Sequence, residues 1–487
     1  MPSPQRPERP ALRAALAALT GAAGVLAFEP FGLFWLAPGV LLGLLWLWDS
    51  APGARQAARE GFAFGLGFFL LGVSWIYVSL SVFGGMPVWM AAPATFLFCA
   101  AMALYYALAA SLYRRWRPQG ALGRALAFAS LIALADWLRG WLGTGFPWLA
   151  WGYSQAPPSP LAGYAPVVGV YGVGFVLALA SALLLQVRRG VLVAAGCVAL
   201  GAVLGGVSWT RPVGEAVSVA LVQGNVPQEL KWRPEQFFAT LARYRQLVAG
   251  NPARLVVLPE TAVPAFLDAV PPEFLSDLKR LALANGGDIL FGTVTGDSER
   301  YWNSAVSLGA SASQTYSKSH LVPFGEFIPP GFSWFLRWAD IPMSEFARGP
   351  EVQRPLALAG LRVAVDICYE DVFGEEIIRS LPEAGILANL SNTAWYGRSF
   401  AQPQHLQIAR LRALETGRPV LRATNTGMTA VVNPDGSVAA SLPAFSQGVL
   451  HSEIRAYEGV TPYARLGNLA FLILAFAALV AGRAFTR

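Results

Sequence analysis

Eight long apolar stretches decide what this chain can fold into. They cover residues 11–28, 30–48, 62–82, 88–113, 122–139, 163–187, 191–209 and 465–482, most of them near the roughly 20 residues a helix needs to cross hydrocarbon. Backbone in lipid must satisfy its own hydrogen bonds, so such stretches are expected to be helices. Across 487 residues, 55% hydrophobic content and only 13% charged content exceed what a soluble globule carries. The first stretch has an alternative as part of a cleaved leader over residues 1–27, because Arg6, Arg9 and Arg13 precede a short apolar run. No small-x-small cleavage site follows it, and a second apolar stretch begins at once.

Arginine placement orients the spans, since short cytoplasmic loops collect Lys and Arg. With the N-terminus inside, one side carries Arg6, Arg9, Arg13, Arg55, Arg59, Arg114, Arg115, Arg117, Arg124, Arg188, Arg189, Arg483 and Arg487. The opposite loops and span ends carry only Arg139 and Arg465. The expected organisation is membrane helices one to seven over 1–210, an extracytoplasmic domain over 211–463 and a last membrane helix over 464–487. Residues 211–463 hold 21 Lys and Arg against 24 Asp and Glu, net −3, so the overall +7 comes from +10 on the remainder. A nucleic-acid partner is therefore not implied by the basic balance.

The polar block alternates strand and helix patterns. Strands are expected at Val217–Val222, Leu255–Leu258, Asp288–Thr293, Ser304–Leu308, Val363–Ile367, Ile386–Ala388 and Val420–Ala423. Helices are expected at Pro234–Ala249, Pro272–Ala284, Gly374–Ser380 and near Gln404–Glu415. Met428–Asn433 and Ser437–Ala440, joined by Pro434-Asp-Gly436, read as a hairpin. This order favours a layered α/β domain with helices outside sheets.

Cys368 is the only cysteine in that block; Cys99 and Cys197 fall inside apolar spans as packing residues. It directly follows the apolar run Leu361–Ile367, which is how a strand end presents a nucleophile. A thiol needs a base or a positive field to become reactive. Glu260, closing the strand Leu255–Leu258, is a candidate base, and Lys318 a candidate partner for a developing oxyanion, with a backbone N–H beside Cys368. Taken singly, each also reads plainly: a buried inert thiol, a capping acid, a surface lysine. His320, His405 and His451 lack ligand spacing, so neither a metal site nor a cofactor is expected. The loop Gly143–Tyr153, rich in aromatic residues, reads either as an interfacial anchor or as a lip that contacts lipid.

Pro259-Glu260-Thr-Ala262, Lys318-Ser-His-Leu-Val-Pro-Phe-Gly-Glu326 and Ile367-Cys-Tyr-Glu370 resemble the three signatures of the nitrilase, or carbon–nitrogen hydrolase, superfamily. Gly145-Phe-Pro-Trp-Leu149, Gly152-Tyr-Ser-Gln155, Gln223-Gly-Asn-Val-Pro-Gln228, Trp302-Asn-Ser304 and Asn392-Thr-Ala-Trp-Tyr-Gly397 are similar to its membrane-embedded branch, the apolipoprotein N-acyltransferases. The resemblance implies an α-helical membrane bundle of about eight helices carrying an αββα sandwich on the periplasmic side of a bacterial inner membrane. It implies a Glu260, Lys318 and Cys368 catalytic triad, supported by Asn303, Glu326, Tyr369 and Glu370, with Trp148 and Trp232 on loops that contact lipid. The implied reaction moves a fatty acyl chain from a phospholipid donor, phosphatidylethanolamine being the expected one, through a thioester on Cys368. The acceptor is the α-amino group of diacylglyceryl-cysteine on an apolipoprotein. Two rivals remain at this level: a membrane-tethered amidase sharing the triad, and a non-enzymatic transporter or assembly factor. For the transporter, Asp136 is the one deeper intramembrane ionisable candidate.

Overall fold

The computed structural model describes residues 10–116, 120–185, 187–331 and 345–484. Arg6, Arg9, Arg117 and Arg487, and the side chain of Arg188, lie outside the described residues. Two compact units emerge, one made of Met1–Tyr77, Val88–Val207 and Asn468–Arg487, the other of Val78–Pro87 and Ser208–Gly467.

The first unit is built of apolar helices. Among the described residues, Pro10–Ala27, Val88–Trp116, Gly120–Arg139 and Pro160–Leu183 are long and apolar enough to cross a membrane, and the bent pair Ala54–Gly72 and Ile76–Phe83, whose residues from Val78 on are counted with the second unit, makes a fifth if taken as one span. The remaining expected spans are shorter apolar helices, Phe34–Ser50, Arg189–Gly205 and Leu469–Arg483. The stretch expected at 62–82 starts earlier, as a helix over Ala54–Gly72, because apolar composition does not register the polar turn that opens it. Small residues let this helix approach its neighbours closely. A Cβ at Gly61 would overlap the Tyr106 carbonyl oxygen, and one at Gly67 the Ala18 carbonyl oxygen, the packing expected where lipid removes any hydrophobic drive between helices.

Charge inside this unit is paired. Arg13 meets Glu60, and its guanidinium also donates to the Leu47 carbonyl oxygen at 2.9 Å and to Ser50 Oγ at 2.8 Å. Arg139 Nη2 donates to Asp136 Oδ1 at 2.9 Å, while Nη1 donates to the carbonyl oxygens of Phe146 and Trp148. Asp136 Oδ2 accepts the Trp151 backbone N–H at 2.8 Å. The one deep acid of the span reading is thus the anchor of the aromatic loop. Trp148 is completely buried, edge-on to Trp75 with centroids 5.0 Å apart, and Trp151 stacks on Phe68 at 5.2 Å.

The second unit contains twelve strands among the described residues: β1 (Thr210–Gln223), β2 (Leu255–Val257), β3 (Asp288–Gly296), β4 (Tyr301–Gly309), β5 (Thr315–Ser317), β6 (Leu356–Leu358), β7 (Leu361–Ile367), β8 (Ile386–Ser391), β9 (Val420–Thr424), β10 (Ala430–Val432), β11 (Val438–Ser441) and β12 (Gly448–Gly459). They form two six-stranded sheets, ordered β12-β1-β2-β3-β4-β5 and β11-β10-β9-β8-β7-β6. β1, β2 and β3 are parallel neighbours, as are β7, β8 and β9. Helices Pro234–Ala249 and Pro272–Ala284 lie where the sequence places them, and Ala401–Thr416 extends the expected helix. The short strands β5 and β6 and the long edge strand β12 escape the sequence reading, the first two because three residues carry no usable period.

Period-two alternation sorts the side chains into layers. Val219, Leu221, Val257 and Leu290 of the first sheet pack against Val363, Val365, Ile367, Ala388, Leu390 and Leu421 of the second. The opposite face of the first sheet packs on Leu241, Tyr244, Phe274 and Leu278, which belong to the two nearby helices. Leu387 and Val420 of the second sheet pack on Leu406, Ala409 and Ala413 of the helix Ala401–Thr416. The result is helix–sheet–sheet–helix layering.

Because Asp136 and Arg139 are fully enclosed, Arg139→Met should leave an uncompensated buried carboxylate and destabilise the protein by roughly 3–5 kcal/mol. Thermal unfolding of the detergent-solubilised variant measures this, and an unchanged midpoint would show that Asp136 finds another partner.

Candidate active site

The site is assembled from strand ends of both sheets, where active sites gather in parallel α/β arrangements. Glu260 lies just beyond β2, Lys318 just beyond β5 and Cys368 just beyond β7. Cys368 occupies the left-handed region at φ 56°, and Thr261, which follows Glu260, does so at φ 44°. Non-glycine residues held in that region are strained and persist only where the surroundings over-determine them. For Cys368 the surroundings are specific. Its carbonyl oxygen accepts Asn389 Nδ2 at 3.1 Å, and Glu370 Oε2 accepts the Ile367 N–H at 2.7 Å.

Glu260, Lys318 and Cys368 are all buried. Lys318 Nζ lies 2.9 Å from Glu326 Oε1, 2.8 Å from Glu326 Oε2 and 3.6 Å from Glu260 Oε1. Asn303 Nδ2 bridges the two acids, at 2.7 Å from Glu260 Oε1 and 2.9 Å from Glu326 Oε1. The other Glu260 oxygen accepts the Asn392 backbone N–H at 2.8 Å, and the other Glu326 oxygen accepts the Val322 N–H at 2.8 Å. Burial works against the Lys318 charge, but Glu326 and then Glu260 overcome it, so the ammonium holds its proton above the ordinary lysine range. Burial, followed by the Glu260 charge, pushes the Cys368 thiol well up, while Lys318 pulls it back. The resting state is therefore a thiol beside a carboxylate, with a fixed cation next to both. That arrangement suits proton transfer from sulfur to carboxylate as a bond forms, with the cation meeting the negative charge that develops.

Glu370 is held by five donors. Oε1 accepts the Ser319 N–H at 2.7 Å, Ser319 Oγ at 2.9 Å and the His320 N–H at 3.0 Å, while Oε2 accepts Tyr316 Oη at 3.0 Å as well as Ile367 N–H. Burial raises its pKa, and the Lys318 charge and these backbone donors oppose the rise. Glu370 thereby ties the Lys318 loop to the Cys368 turn. The Tyr369 ring packs edge-on to Phe373 at 5.2 Å. Trp232 is half-buried at the end of the short helix Gln228–Lys231.

Several buried polar residues escape the sequence reading. Asp366, Asn389 and Arg422 face one another across β7, β8 and β9 in register. Asn389 Nδ2 reaches Asp366 Oδ1, and Arg422 Nη1 reaches Asn389 Oδ1 at 2.8 Å and Asp371 Oδ2 at 2.8 Å. His405 Nε2 lies 2.6 Å from the other Asp371 oxygen, and the ring also bonds the Cys368 backbone. Burial, then Arg422, lowers the His405 pKa. One signal was present: Asp366, Asn389 and Arg422 are each a polar residue inside an otherwise apolar strand, on the face away from the inter-sheet core. Lys231 was also missed; it is buried and donates to the Glu260 carbonyl oxygen at 3.0 Å. Among the described residues no cluster of three His, Cys, Asp or Glu is placed to hold a metal ion.

The two-sheet unit that carries these residues is a carbon–nitrogen hydrolase domain: the family model for carbon–nitrogen hydrolases matches residues 218–463. The apolipoprotein N-acyltransferase N-terminal domain matches residues 20–183. The chain is 47% identical to the apolipoprotein N-acyltransferase of Nitrosomonas europaea over 477 residues, covering 95% of each chain. It is also 47% identical to that of Ralstonia nicotianae, covering 92% of this chain and 88% of the relative. Among solved structures, a carbon–nitrogen hydrolase superfamily protein from Xanthomonas campestris aligns at 19% identity and TM-score 0.39, covering 55% of this chain and 97% of that one. The chain belongs to the apolipoprotein N-acyltransferase family.

Glycine is required at position 292, on β3, because a Cβ there would lie 2.7 Å from the Glu260 Cα and would overlap the Thr261 amide. Gly292→Ala should keep the fold by circular dichroism but displace the Glu260 turn, lowering acyl transfer on the order of 10²-fold. Full activity in that variant would show that the turn yields without moving its carboxylate.

Proposed function

We propose that this protein completes lipoprotein maturation, transferring a fatty acyl chain from a phospholipid, phosphatidylethanolamine in the first instance, to the α-amino group of diacylglyceryl-cysteine on apolipoproteins. The observation that carries the reading is the meeting of Glu260, Lys318 and Cys368, more than a hundred residues apart at the extremes, at buried strand ends of two sheets. Membership of the acyltransferase family over both halves of the chain favours transfer over a tethered amidase or a transporter.

In this mechanism Cys368 Sγ attacks the ester carbonyl carbon while Glu260 takes the thiol proton. Lys318 and a backbone N–H beside Cys368 hold the tetrahedral oxyanion. Collapse breaks the bond to the glycerol oxygen, which leaves as lysophospholipid with the proton from Glu260, and a thioester remains on Cys368. The acceptor amine attacks that carbonyl and gives its proton to Glu260, and the Cys368 sulfur leaves to be reprotonated. Splitting the transfer lets two bulky lipids use one site in turn. Asn303 and Glu326 hold Glu260 and Lys318 in place, and Glu370 and Tyr369 hold the Cys368 turn. Trp232 and the loop bearing Trp148 serve the lipid substrates; since the Trp148 ring is enclosed, its part is to hold the Phe146–Tyr153 loop.

The reading includes eight membrane-crossing helices, a catalytic domain over 211–463 and an inner-membrane location with that domain on the periplasmic side. The arginine asymmetry of the apolar half supports it, as does the chemistry, because both substrates are anchored in the bilayer. No cofactor enters any step.

Phospholipid without acceptor should load one fatty acyl group onto Cys368, removable by neutral hydroxylamine, with about one lysophospholipid released per enzyme. A diacylglyceryl peptide with a free N-terminal amine should then discharge it into an amide, and Cys368→Ala should neither load nor transfer. Intact-protein mass measurement reads this directly. Sustained release of free fatty acid without acceptor would instead indicate a hydrolase, and transfer by Cys368→Ala would remove the mechanism.

Lys318→Met removes one oxyanion donor and should lower turnover by ~10²–10³ with little change in lipid binding. Near-normal turnover with weakened lipid binding would move Lys318 to headgroup recognition.

A further inference from the structure

Lys231 is a buried ionisable group beside Glu260 that the mechanism above leaves unused. It ends the short helix Gln228–Lys231 and is only 3% exposed. An ammonium carries three donors; one goes to the Glu260 carbonyl oxygen at 3.0 Å, and the others have no protein acceptor among the described residues. The segment that carries Lys231 is fastened to the site independently of it. Asn392 Nδ2 donates to Gln228 Oε1 at 2.7 Å, and Asn425 exchanges hydrogen bonds with Val226, accepting its N–H at 2.9 Å and donating to its carbonyl at 2.8 Å. Asn392 is also the residue whose backbone N–H holds Glu260. Lys231 is thus positioned from both sides of the catalytic carboxylate.

Charge arithmetic gives it a task. Glu260 and Glu326 bring two negative charges, and Lys318, occupied by Glu326 at 2.8 Å and 2.9 Å, brings one positive. The set is therefore net negative by one charge while the proton is on Cys368, and it stays so when that proton passes to Glu260 and the charge moves to sulfur. The groups around Lys231 are Glu260 beyond β2 and Cys368 beyond β7, with Lys318 and Glu326 behind Glu260 and the Tyr396 phenol beside Cys368.

We propose that Lys231 is a positioning residue that supplies the second positive charge of the site, offsetting the net negative charge that moves onto Cys368 as its proton passes to Glu260 and sulfur attacks the acyl donor. It acts through Glu260 and through space on Cys368. Burial lowers its pKa to about 8, against the pull of Glu260 and Cys368. The sign follows: below about 8 the second charge is present, and above it the charge is lost while the thiol is still protonated.

The proposal rests on Cys368 being the acyl carrier, so the test uses the loading half-reaction, which contains no titrating acceptor amine. Full-length protein in phospholipid nanodiscs is followed by intact mass from pH 6 to 9.5. Wild type should lose loading rate above about pH 8. Lys231→Arg keeps its charge and should hold its rate through pH 9.5. Lys231→Met should load about tenfold more slowly below pH 8, one unit of thiol pKa, and show no further fall across it. If Lys231→Met does not fold, the wild-type and Lys231→Arg profiles still decide. Coincident profiles for wild type and Lys231→Arg overturn the proposal while leaving the carrier role of Cys368 standing. Loading of Cys368→Ala in the same assay overturns the carrier role instead.

Discussion

The contact on which the catalytic unit depends is the Lys318 ammonium held between Glu326 and Glu260. A buried carboxylate pair repels, and a buried lysine loses its proton, unless each has a partner with good geometry. Here Lys318 meets Glu326 at 2.8 Å and Glu260 at 3.6 Å, and Asn303 donates to both acids. These contacts set the alignment of the cluster before any substrate arrives. Preorganised charge of this kind does not have to reorient as a reaction proceeds.

The Cys368 turn is over-determined in the same spirit. Its left-handed conformation is strained, and the compensation comes from behind the sheet, where Asn389 and the His405 ring hold its backbone and Arg422 and Asp371 hold them. On the inter-sheet side, Cys368 joins the apolar core with Ile367 and Leu390. One side of the strand end supplies dryness, which raises the thiol pKa, and the other supplies hydrogen bonds, which fix the peptide. Strain and compensation at one residue are what a functional turn shows.

The helical unit applies the same rule in a medium that offers no water. Asp136 and Arg139 neutralise each other and spend their remaining hydrogen bonds on the backbone of the aromatic loop, at Phe146, Trp148 and Trp151. Irregular backbone among apolar helices needs such internal partners. The loop sequence announces aromatic residues; the ion pair explains how they are held.

Much of this was legible in the sequence. Apolar blocks mark the helices because lipid admits little else, period-two runs mark most strands, and the candidate acid and thiol stand out because each follows such a run, whereas Lys318 stands out only by the segment Tyr316–Glu326 that holds it. Long elements such as Pro234–Ala249 and Pro272–Ala284 show their full period and are placed to the residue. Elements of three residues, β5 and β6, do not. The sequence could not say that Lys231, beside a tryptophan in a polar segment, turns inward to Glu260. Nor could it say that Asp366, Asn389 and Arg422, up to 56 positions apart, stand in one row. Strand register and the docking of a short helix decide those, and both are set by which faces pack together. Local pattern carries what a residue must bury; only tertiary structure decides which buried charge it meets.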